Sequence, residues 1–536
     1  MAIDLIHLEE VISTGEYAKI DRFCDNHPDL ESLAAFLRDE FNFDLVLDQD
    51  LIEGYVADSS NLTGRAEALA RPASERECAI ILSSCFKSGT PCTISAGKSN
   101  LTGSATPEGG VLLSMVRMLA PEPKIDADAM SVSCPVGMIL EDLRNIVLEK
   151  TFGRMMFPVD PTSRADAAIG GAIACNASGF TPGQAGSMRG WVESIDFLLP
   201  NGLKISASRG QYISRNGRFV LSHKDQKQEF PVPCHRYPAI KNASGPFSSP
   251  DGCLDFVDLV VGSEGIFGLV TRCTLSLKPC PKSYLDLFFS LPKEKDAIDF
   301  LEVLQGRFAG DLSGFSAVEY FGSNCRRYMD HEARLFRGGN QVAVYLQIPI
   351  EKQSPQDAAL QWLELLTGSV LRIEADSIIL IQSERDRALL IDARHSLPAN
   401  SLEVVKRYGT YTIMTDALVP PDNFRDFLSY THNLINSEGI EYVSFGHLGD
   451  CHLHFTLLPD KSQLERATKI YDAIIAKSAE LGGVYSGEHG TGKRKRADFL
   501  ACYGPEAVHE LRKSKAAVDP HFLLNRGNVI TYKGES

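Results

Sequence analysis

The strongest structural signal in this chain is carried by the segment Pro158-Val-Asp-Pro-Thr-Ser-Arg-Ala-Asp-Ala-Ala-Ile-Gly-Gly-Ala-Ile-Ala-Cys-Asn-Ala-Ser-Gly179. Its two prolines, Pro158 and Pro161, fix φ and push the residue before each of them into an extended conformation. The second half consists almost entirely of small residues, and Gly170-Gly171 can bring backbone N–H groups against a bulky partner. The pattern therefore indicates either a flat cofactor lying against the backbone or a close contact between a helix and a neighbouring helix or strand.

A second glycine-rich segment is Val260-Val-Gly-Ser-Glu-Gly-Ile-Phe-Gly-Leu-Val-Thr271, in which apolar runs flank three glycines. This pattern predicts a tight turn between two buried segments. Together the two segments resemble the FAD-binding domain of the vanillyl-alcohol oxidase / p-cresol methylhydroxylase superfamily. The nearest branch is that of the FAD-linked D-2-hydroxy-acid dehydrogenases, which includes D-lactate dehydrogenases, D-2-hydroxyglutarate dehydrogenases and glycolate oxidase flavoproteins. The resemblance extends over roughly residues 50–530.

The resemblance implies an α+β chain, in which a two-subdomain FAD-binding domain of the p-cresol methylhydroxylase type precedes a substrate (cap) domain of antiparallel sheet and helices. Residues 75–87 predict a helix, Asn201-Gly202 predicts a hairpin turn, and apolar residues recur at helical spacing from Leu30 to Phe41. The expected parts are an N-terminal helical extension (1–45), an FAD-binding domain (46–283) with a surface insertion (about 205–255), a substrate domain (284–500) and a C-terminal segment returning to the FAD-binding domain (501–536).

A glycine- and hydroxyl-rich loop follows the strand predicted at the start of residues 92–104. Successive N–H groups of such a loop can bind a pyrophosphate, although loops of this kind are also plain turns. Lys98 and Asn100 stand where the family usually has glycine; Asn tolerates a positive φ, and Lys can add charge. The resemblance implies the following FAD-binding residues: Gly97, Ser99, Asn100, Leu101, Gly103, Ser104, Pro158, Asp160, Thr162, Gly170, Gly171, Ala174, Asn176, Gly179, Gly262, Glu264, Gly265, Gly268 and Asn525.

Three histidines lie within the eight residues His447-Leu-Gly-Asp-Cys-His-Leu-His454, in a chain that has 13 in total. His452 and His454 would share one face of a strand, and a turn at Gly449-Asp450 would let His447 join them. The spacing alone does not choose among the three, and each one could also be a hydrogen-bonded structural histidine.

A second unusual segment, Gly487-Glu-His-Gly490, places a charged pair inside a glycine-rich loop. Two histidines and a glutamate suit a divalent transition metal, Zn²⁺ first and Mn²⁺ or Fe²⁺ as alternatives. The family resemblance implies that His447, His454 and Glu488 are the metal ligands and that His489 is the catalytic base. Cys451-His452 stands where the family usually has Gly-Asn.

Arg394 matches the arginine with which the family binds the substrate carboxylate; the alternative is an arginine on a helix surface. Pro398 and Met414 stand where D-2-hydroxyglutarate dehydrogenases carry a hydroxyl residue and a lysine. A monocarboxylate such as lactate, or a more apolar 2-hydroxy acid, is therefore favoured. The run Lys493-Arg-Lys-Arg496 predicts a solvated helix start, with a basic rim for an acidic substrate or carrier as the alternative.

Composition excludes several classes of function. The net charge of −15 over 536 residues argues against a nucleic-acid partner. The 13 cysteines include no Cys-x-x-Cys pair, which argues against an iron–sulfur cluster and favours a reducing, cytoplasmic location. The N-terminal residues do not resemble a signal peptide, and no apolar run approaches the ~20 residues that span a membrane.

We therefore expect an FAD-dependent dehydrogenase of a D-2-hydroxy acid. The sequence has no nicotinamide-binding fingerprint, so electrons should pass to a separate acceptor such as an electron-transfer flavoprotein, a quinone or a redox subunit; a homodimer is compatible with this expectation. One alternative is a flavin-binding structural subunit of a larger oxidase complex. Another is a non-redox transferase resembling alkylglycerone-phosphate synthase, whose run of consecutive histidines does not occur here.

Overall fold

The computed structural model describes residues 5–532, so the first four and the last four positions of the predicted terminal segments lie outside the described residues. The N-terminal part consists of strand β1 (Leu5–His7) and helices α1 (Thr14–Cys24), α2 (Leu30–Phe41) and α3 (Gln49–Glu53). Asp29 caps α2 by accepting a hydrogen bond from the Ser32 N–H group. The helix buries Leu33, Leu37 and Phe41, so the helical spacing in the sequence marks the face that packs on the core.

The first part of the FAD-binding domain is a small parallel sheet. Its elements are β2 (Ala68–Ala70), α4 (Glu75–Ser88), β3 (Cys92–Ser95) and β4 (Val111–Ser114). The strands are ordered β2-β4-β3, and β2 and β4 are buried along their whole length. Helix α4 begins after the cap residue Ser74 and is followed by the cap residue Gly89, whose φ of +76° is easily adopted only by glycine.

The second part of this domain is built on an antiparallel sheet. Its elements in chain order are β5 (Lys124–Asp126), β6 (Ser131–Pro135), α5 (Leu140–Lys150), β7 (Met155–Met156), α6 (Ile169–Ala174), β8 (Val192–Leu198), β9 (Lys204–Ser208), β10 (Arg218–His223), β11 (Gln226–Pro231), α7 (Phe256–Val260), β12 (Leu269–Ser276) and β13 (Lys278–Pro279). The five central strands are ordered β5-β6-β12-β8-β9, and β8 and β9 form a hairpin around Asn201-Gly202. The two-subdomain architecture predicted from the sequence is confirmed.

The segment predicted to be a surface insertion is only partly on the surface. Strands β10 and β11 form a hairpin, and β10 pairs in parallel with β1 of the N-terminal part. Further along, Lys241, Asn242 and Ser244 are buried, and the Ala243 N–H group donates a hydrogen bond to the Ser486 carbonyl (3.0 Å). The surface prediction is therefore wrong for residues 241–244, because their polar groups find buried partners in the C-terminal half of the chain.

The part of the chain predicted to be the substrate domain follows. Its elements are β14 (Ser283–Leu291), α8 (Glu294–Arg307), β15 (Ala317–Phe321), α9 (Glu332–Leu335), β16 (Val342–Ile350), α10 (Pro355–Thr367), β17 (Ile378–Ile381), α11 (Glu384–Tyr408), β18 (Ile413–Met414), α12 (Phe424–Ser437), β19 (Tyr442–His447), β20 (His452–Leu457) and α13 (Leu464–Glu480). The strands form one antiparallel sheet in the order β17-β14-β16-β15-β19-β20-β18. The predicted antiparallel sheet with helices is confirmed.

The C-terminal segment begins with helix α14 (Arg496–Val518), which is kinked at Gly504, the residue before Pro505. The chain then reaches the first subdomain of the FAD-binding domain. The Cys92 N–H group donates to the Leu523 carbonyl (2.9 Å), and the Asn525 N–H group donates to the Cys92 carbonyl (2.8 Å). Within residues 5–532, no helix is both long enough and apolar enough to cross a bilayer.

Candidate active site

A cavity of about 490 Å³ lies between the predicted FAD-binding domain and the predicted substrate domain. The predicted cofactor-binding residues that line it are Gly97, Ser99, Asn100, Leu101, Ser104, Thr162, Gly170, Gly171, Ala174, Gly179, Glu264, Gly265, Gly268 and Asn525. The predicted catalytic and metal-binding residues that line it are Arg394, His447, His454, Glu488 and His489. The structure thus brings both groups of residues to the same space.

Helix α6 places its two glycines against this cavity. A Cβ atom on Gly170 would lie 3.0 Å from the Val136 Cβ, tighter than an ordinary contact. A Cβ atom on Gly171 would meet the Ala96 Cβ at 3.6 Å, which is an ordinary distance. Gly170 thus allows the close contact with a strand end that the sequence offered as one alternative, and the missing side chain of Gly171 leaves room in the cavity, so a cofactor lying against this backbone stays a prediction.

The loop after β3 uses its non-glycine residues in an unexpected way. Lys98, not Asn100, takes the left-handed conformation (φ +57°), and its Nζ donates to the Gly54 carbonyl (2.6 Å) rather than adding a free charge to the cavity. Asn100 Oδ1 accepts hydrogen bonds from the N–H groups of Thr102 (2.9 Å) and Ser104 (3.0 Å). The side chain of Asn100 therefore closes the loop.

Some predicted cofactor-binding residues lie behind the cavity wall instead of lining it. They are Gly103, Pro158, Asp160, Asn176 and Gly262. The carboxylate of Asp160 accepts a hydrogen bond from the Phe180 N–H group (3.1 Å), and a Cβ atom on Gly179 would lie 2.0 Å from this carboxylate. Asn176 accepts a hydrogen bond from the Arg189 N–H group (2.9 Å). Asp160 and Asn176 thus fix the backbone around the lining residues.

Glu264 connects the FAD-binding domain to the loop that carries His489. Its buried carboxylate accepts hydrogen bonds from the N–H groups of Thr491 (2.6 Å) and Gly492 (2.7 Å) and from the Ser104 hydroxyl. Burial raises the pKa of this carboxyl group. Although Glu264 lines the cavity, its hydrogen bonds join two loops of the protein, one from each side of the cavity.

Strands β19 and β20 bring the three histidines to one face of the sheet. His447 is directly opposite His452 in the antiparallel register, and His454 is two residues further along β20. Because side chains alternate along a strand, all three project to the same side. The turn proposed at Gly449-Asp450 is therefore the feature that lets His447 face the other two.

His447 and His454 each have an acceptor near the ring nitrogen that points away from Glu488. Nδ1 of His447 lies 2.6 Å from Glu319 Oε1, and Nδ1 of His454 lies 3.3 Å from the Thr415 carbonyl oxygen. The Nε2 atoms of these two rings lie 2.7 and 3.9 Å from the two carboxylate oxygens of Glu488. Metal-binding histidines are typically held in this way by an outer acceptor, so these residues fit a divalent transition metal.

A buried lysine that the sequence did not point to completes the charge balance. Lys241 Nζ lies 2.6 Å from Glu488 Oε1 and 3.3 Å from Asp450 Oδ2, and its side chain is only 1% exposed. Burial opposes the charge of Lys241, but these carboxylates raise its pKa. Burial also disfavours the charged form of His447, but Glu319 and Glu488 outweigh this effect and raise the pKa of His447 to about 9. Lys241 precedes Glu488 by 247 positions, so no local pattern could have revealed this pair.

Asp416 is a second residue that the sequence did not reveal. Its fully buried carboxylate accepts hydrogen bonds from the backbone N–H group of His489 (3.0 Å) and from Lys495 Nζ (2.9 Å). The same carboxylate oxygen, Oδ2, lies 3.4 Å from the ring nitrogen Nδ1 of His489. Burial alone would raise the pKa of Asp416, but the nearby His489 and Lys495 outweigh it and hold this pKa well below its usual range. The His489 ring stacks on that of His454, with centroids 5.5 Å apart, and burial lowers the pKa of His489.

The prediction of a solvated helix start at Lys493-Arg-Lys-Arg496 is wrong. Lys495 is buried against Asp416, and Lys493 Nζ donates to the carbonyl of Thr106 (2.7 Å). Burial lowers the pKa of Lys493 to about 8. Every second residue of this basic run, Lys493 and Lys495, therefore places its ammonium group inside the protein, and the charge pattern of the sequence alone does not reveal this.

Arg394 projects from α11 into the cavity, with a side chain only 15% exposed. Its Nε lies 3.5 Å from Glu319 Oε2, and its guanidinium group lies 4.4 Å from the centre of the Phe445 ring. Pro398 and Met414 also line the cavity. The structure thus excludes the helix-surface alternative and leaves the guanidinium group available to an anion.

Comparison with known proteins agrees with this architecture. The family described as "FAD binding domain" matches residues 66–208, and that described as "FAD linked oxidases, C-terminal domain" matches residues 326–529. The Bacillus subtilis (strain 168) protein named glycolate oxidase subunit GlcD is 24% identical over 87% of this chain and 89% of its own length. A D-lactate dehydrogenase of Anaerostipes hadrus is 25% identical over 92% of this chain and 93% of its own length. The crystal structure of p-cresol methylhydroxylase superposes with a TM-score of 0.65 at 13% identity, covering 99% of this chain and 100% of that one.

The fold, the glycine-rich cavity and the two matching domain families define a flavin-binding oxidoreductase. The chain contains the FAD-binding domain and the C-terminal domain of FAD-linked oxidases, and the resemblance inferred from the sequence is confirmed.

Proposed function

We propose that this protein is an FAD-dependent dehydrogenase that oxidises a D-2-hydroxy acid of the D-lactate type to the 2-oxo acid. The observation that carries the proposal is the composition of the cavity. A largely buried imidazole (His489), a guanidinium group (Arg394) and a cluster of histidines with Glu488 face the same space as the glycine-rich residues predicted to bind the cofactor. The names of the relatives, a glycolate oxidase subunit and a D-lactate dehydrogenase, support the same class of substrate.

Two bound groups are part of this proposal. When bound along the loop at residues 97–104 and helix α6, FAD supplies the two-electron acceptor. A divalent metal, Zn²⁺ first and Mn²⁺ or Fe²⁺ as alternatives, would be held by His447, His454 and Glu488 and would supply Lewis-acid polarisation of a substrate oxygen.

His489 is the proposed base for the substrate hydroxyl. Nδ1 of its ring lies 3.4 Å from Asp416 Oδ2, which favours a hydrogen on Nδ1 and leaves Nε2 free to accept a proton. Because burial lowers the pKa of His489, the ring is neutral at pH 7 and able to act as a base. A positioned base of this kind typically contributes about 10²–10⁴-fold to the rate.

Arg394 is the proposed partner of the substrate carboxylate. The aromatic face of Phe445 and the carboxylate of Glu319 hold its guanidinium group, which limits the number of conformations it must lose on binding. A guanidinium group can bind a carboxylate through two parallel hydrogen bonds, and this would fix the orientation of the 2-hydroxy acid.

The cavity favours a monocarboxylate. Among the described residues that line it, Arg394 and Lys98 are the only lysine or arginine side chains, and Lys98 is bonded to the Gly54 carbonyl. Pro398, Met414 and Phe445 provide apolar surface. A second carboxylate, as in 2-hydroxyglutarate, would therefore find no free lysine or arginine side chain, and its desolvation would be uncompensated by such a pair.

The remaining parts of the proposal concern partners and location. Electrons would pass to a separate acceptor, such as an electron-transfer flavoprotein, a quinone or a redox subunit, and the chain would work alone or as a homodimer. All 13 cysteines are free thiols, which supports the proposed cytoplasmic location because reducing compartments keep thiols in this form.

The test is anaerobic addition of D-lactate, L-lactate and a panel of other 2-hydroxy acids to the FAD-loaded protein, with the visible spectrum recorded. The proposal expects flavin bands that bleach with one D-acid. Flavin bands that no acid bleaches would contradict it and favour a structural flavoprotein subunit or a non-redox transferase. A protein that takes up no FAD would contradict the use of the cavity as a flavin site.

A further inference from the structure

His452 has the features of a metal ligand, although its position in the family pattern does not indicate one. Its side chain is completely buried. Nε2 lies 3.0 Å from Asp416 Oδ1, and an ionised carboxylate can only accept, so the hydrogen sits on Nε2. In the neutral ring Nδ1 then carries a lone pair, and among residues 5–532 this buried atom has no hydrogen-bond partner.

The lone pair of Nδ1 is directed toward the histidine and glutamate cluster. Nδ1 lies 3.8 Å from Glu488 Oε1, and the His452 ring lies 4.6 Å, centre to centre, from that of His454. Ligand atoms of His447, His452, His454 and Glu488 all lie within 4.8 Å of one another. In a metal centre with bonds of about 2.1 Å, neighbouring ligand atoms lie about 3.0–3.4 Å apart and opposite ones about 4.2 Å, so inward shifts of less than about 1 Å per ligand atom would close the set.

We propose that His452 is a fourth protein ligand of the divalent metal, bound through Nδ1; this inference rests on the metal centre in the proposed function. His447, His454 and Glu488 line the cavity, whereas His452 is buried and lies outside the lining. His452 would thus approach the metal from the side opposite the cavity. The side of the metal that faces the cavity would stay open to substrate oxygens.

The neighbourhood of His452 holds the ring in this orientation. Asp416 binds the outer nitrogen in the manner of the carboxylate–histidine pairs of metal sites. Gly487 leaves space for the ring, because a Cβ atom there would lie 2.8 Å from Cε1 of His452. A purely structural histidine would need only the bond to Asp416 and would leave Nδ1 without a partner.

The additional imidazole has a consequence for metal selectivity. Three imidazoles and one carboxylate form a nitrogen-rich set, which suits Zn²⁺ and Co²⁺ better than the oxygen-preferring Mg²⁺ and Mn²⁺. We therefore expect this protein to discriminate more strongly against Mn²⁺ than a site with two histidines and one glutamate.

The test compares two substitutions in the full-length, FAD-loaded protein. Gln places its amide near the position of Nε2 and can keep the bond to Asp416, whereas Asn places its amide near Nδ1 but is too short to reach Asp416. His452→Gln thus removes the proposed ligand, and His452→Asn removes the outer bond. His432→Gln is the matched control, since His432 is a largely buried histidine bonded to Tyr442 and Glu294 outside the cluster.

Zn²⁺ affinity is measured by equilibrium dialysis with elemental analysis, and ligand geometry by the visible spectrum of the Co²⁺-loaded protein. We expect one metal per chain in the wild type and the control. Affinity in His452→Gln should fall by more than the roughly 10–100-fold that loss of an outer-shell partner costs, with altered Co²⁺ bands. Unchanged affinity and bands in His452→Gln would overturn the inference about His452 alone.

Two further results separate this inference from the proposed function. A wild-type protein that binds no Zn²⁺ or Co²⁺ would overturn both the metal centre and the role of His452. Bleaching of the flavin by a 2-hydroxy acid, recorded on the same samples, tests the dehydrogenase activity independently. A protein that binds metal through His452 but never bleaches would therefore leave the inference standing and remove the proposed reaction.

Discussion

Lys241 provides a quantitative test of the charge balance in the site. Its ammonium group lies 2.6 Å from Glu488 and 3.3 Å from Asp450, and the three side chains are 1%, 16% and 4% exposed. At an effective dielectric constant of about 20, a contact at this distance is worth about 6 kcal/mol before desolvation. Removing one partner of a buried ion pair costs about 3–5 kcal/mol net. We therefore expect Lys241→Met to lower the free energy of unfolding by about 3–5 kcal/mol in the presence of EDTA.

Zn²⁺ should recover part of this loss. Lys241 contacts the same Glu488 oxygen that faces His447, so the ammonium group and a metal ion compete for this carboxylate. Without the ammonium group, the metal becomes the main partner of Glu488 and should bind more tightly. We expect saturating Zn²⁺ to reduce the cost of Lys241→Met by at least about 1.4 kcal/mol, which corresponds to a tenfold higher metal affinity in the variant.

The assay is urea unfolding followed by the fluorescence of Trp191 and Trp362, with EDTA and with Zn²⁺. Lys19→Met is the control, because Lys19 also lies 2.6 Å from a carboxylate (Glu40), but the two side chains are 56% and 42% exposed. An exposed pair contributes about 0–1 kcal/mol. A loss below about 1 kcal/mol in Lys241→Met, or an equal loss with and without Zn²⁺, would refute the reasoning.

Three further predictions concern the base, the substrate and pH. His489→Gln should slow flavin reduction by about 10²–10⁴-fold in stopped-flow measurements while FAD affinity stays the same; a loss below tenfold would exclude His489 as the base. Met414→Lys adds a cation to the cavity, and a charged hydrogen bond of about 1.5–3 kcal/mol should raise kcat/KM for D-2-hydroxyglutarate relative to D-lactate by about 10–150-fold; an unchanged ratio would mean that Met414 does not face the substrate side chain. Burial lowers the pKa of His235 from 6.5 to about 4. Below pH 6.5 the unfolded chain protonates this histidine while the folded protein does not. The contribution of His235 to the free energy of unfolding is therefore full above pH 6.5 and falls by about 3 kcal/mol between pH 6.5 and 4. His235→Phe should lack this part of the loss in urea unfolding at the two pH values, and a variant with the wild-type slope would contradict the assignment.

The features that the sequence predicted well are local. The helical spacing from Leu30 to Phe41 matches the buried face of α2, because a pattern of period 3.6 reports directly on one side of a helix. The Asn201-Gly202 turn matches the β8–β9 hairpin, since Gly202 takes a φ of +80° that a tight turn needs. In both cases the information lies within about a dozen neighbouring residues.

The features that the sequence did not disclose depend on distant pairs. Asp416, Lys241 and Glu319 hold His489, Glu488 and His447, yet each lies in a segment without an unusual pattern of its own. Lys241 falls in a polar stretch that predicted a surface insertion, and only its pairing with Glu488, 247 positions away, makes it internal. A single sequence records which residues are charged but not which charges meet.

The return of the C-terminal segment has a consequence for biosynthesis. The side chain of Asn525 accepts a hydrogen bond from the Ile94 N–H group (2.7 Å) and donates one to the Glu264 carbonyl (2.9 Å), and Asn525 itself lines the cavity proposed to bind FAD. Residues 46–283 therefore leave the ribosome with an incomplete cofactor site, which closes only after more than two hundred further residues have been synthesised. Flavin loading should accordingly be a late, post-translational event, and a premature stop codon shortly before Asn525 should yield a chain that contains nearly all of its fold but retains no flavin.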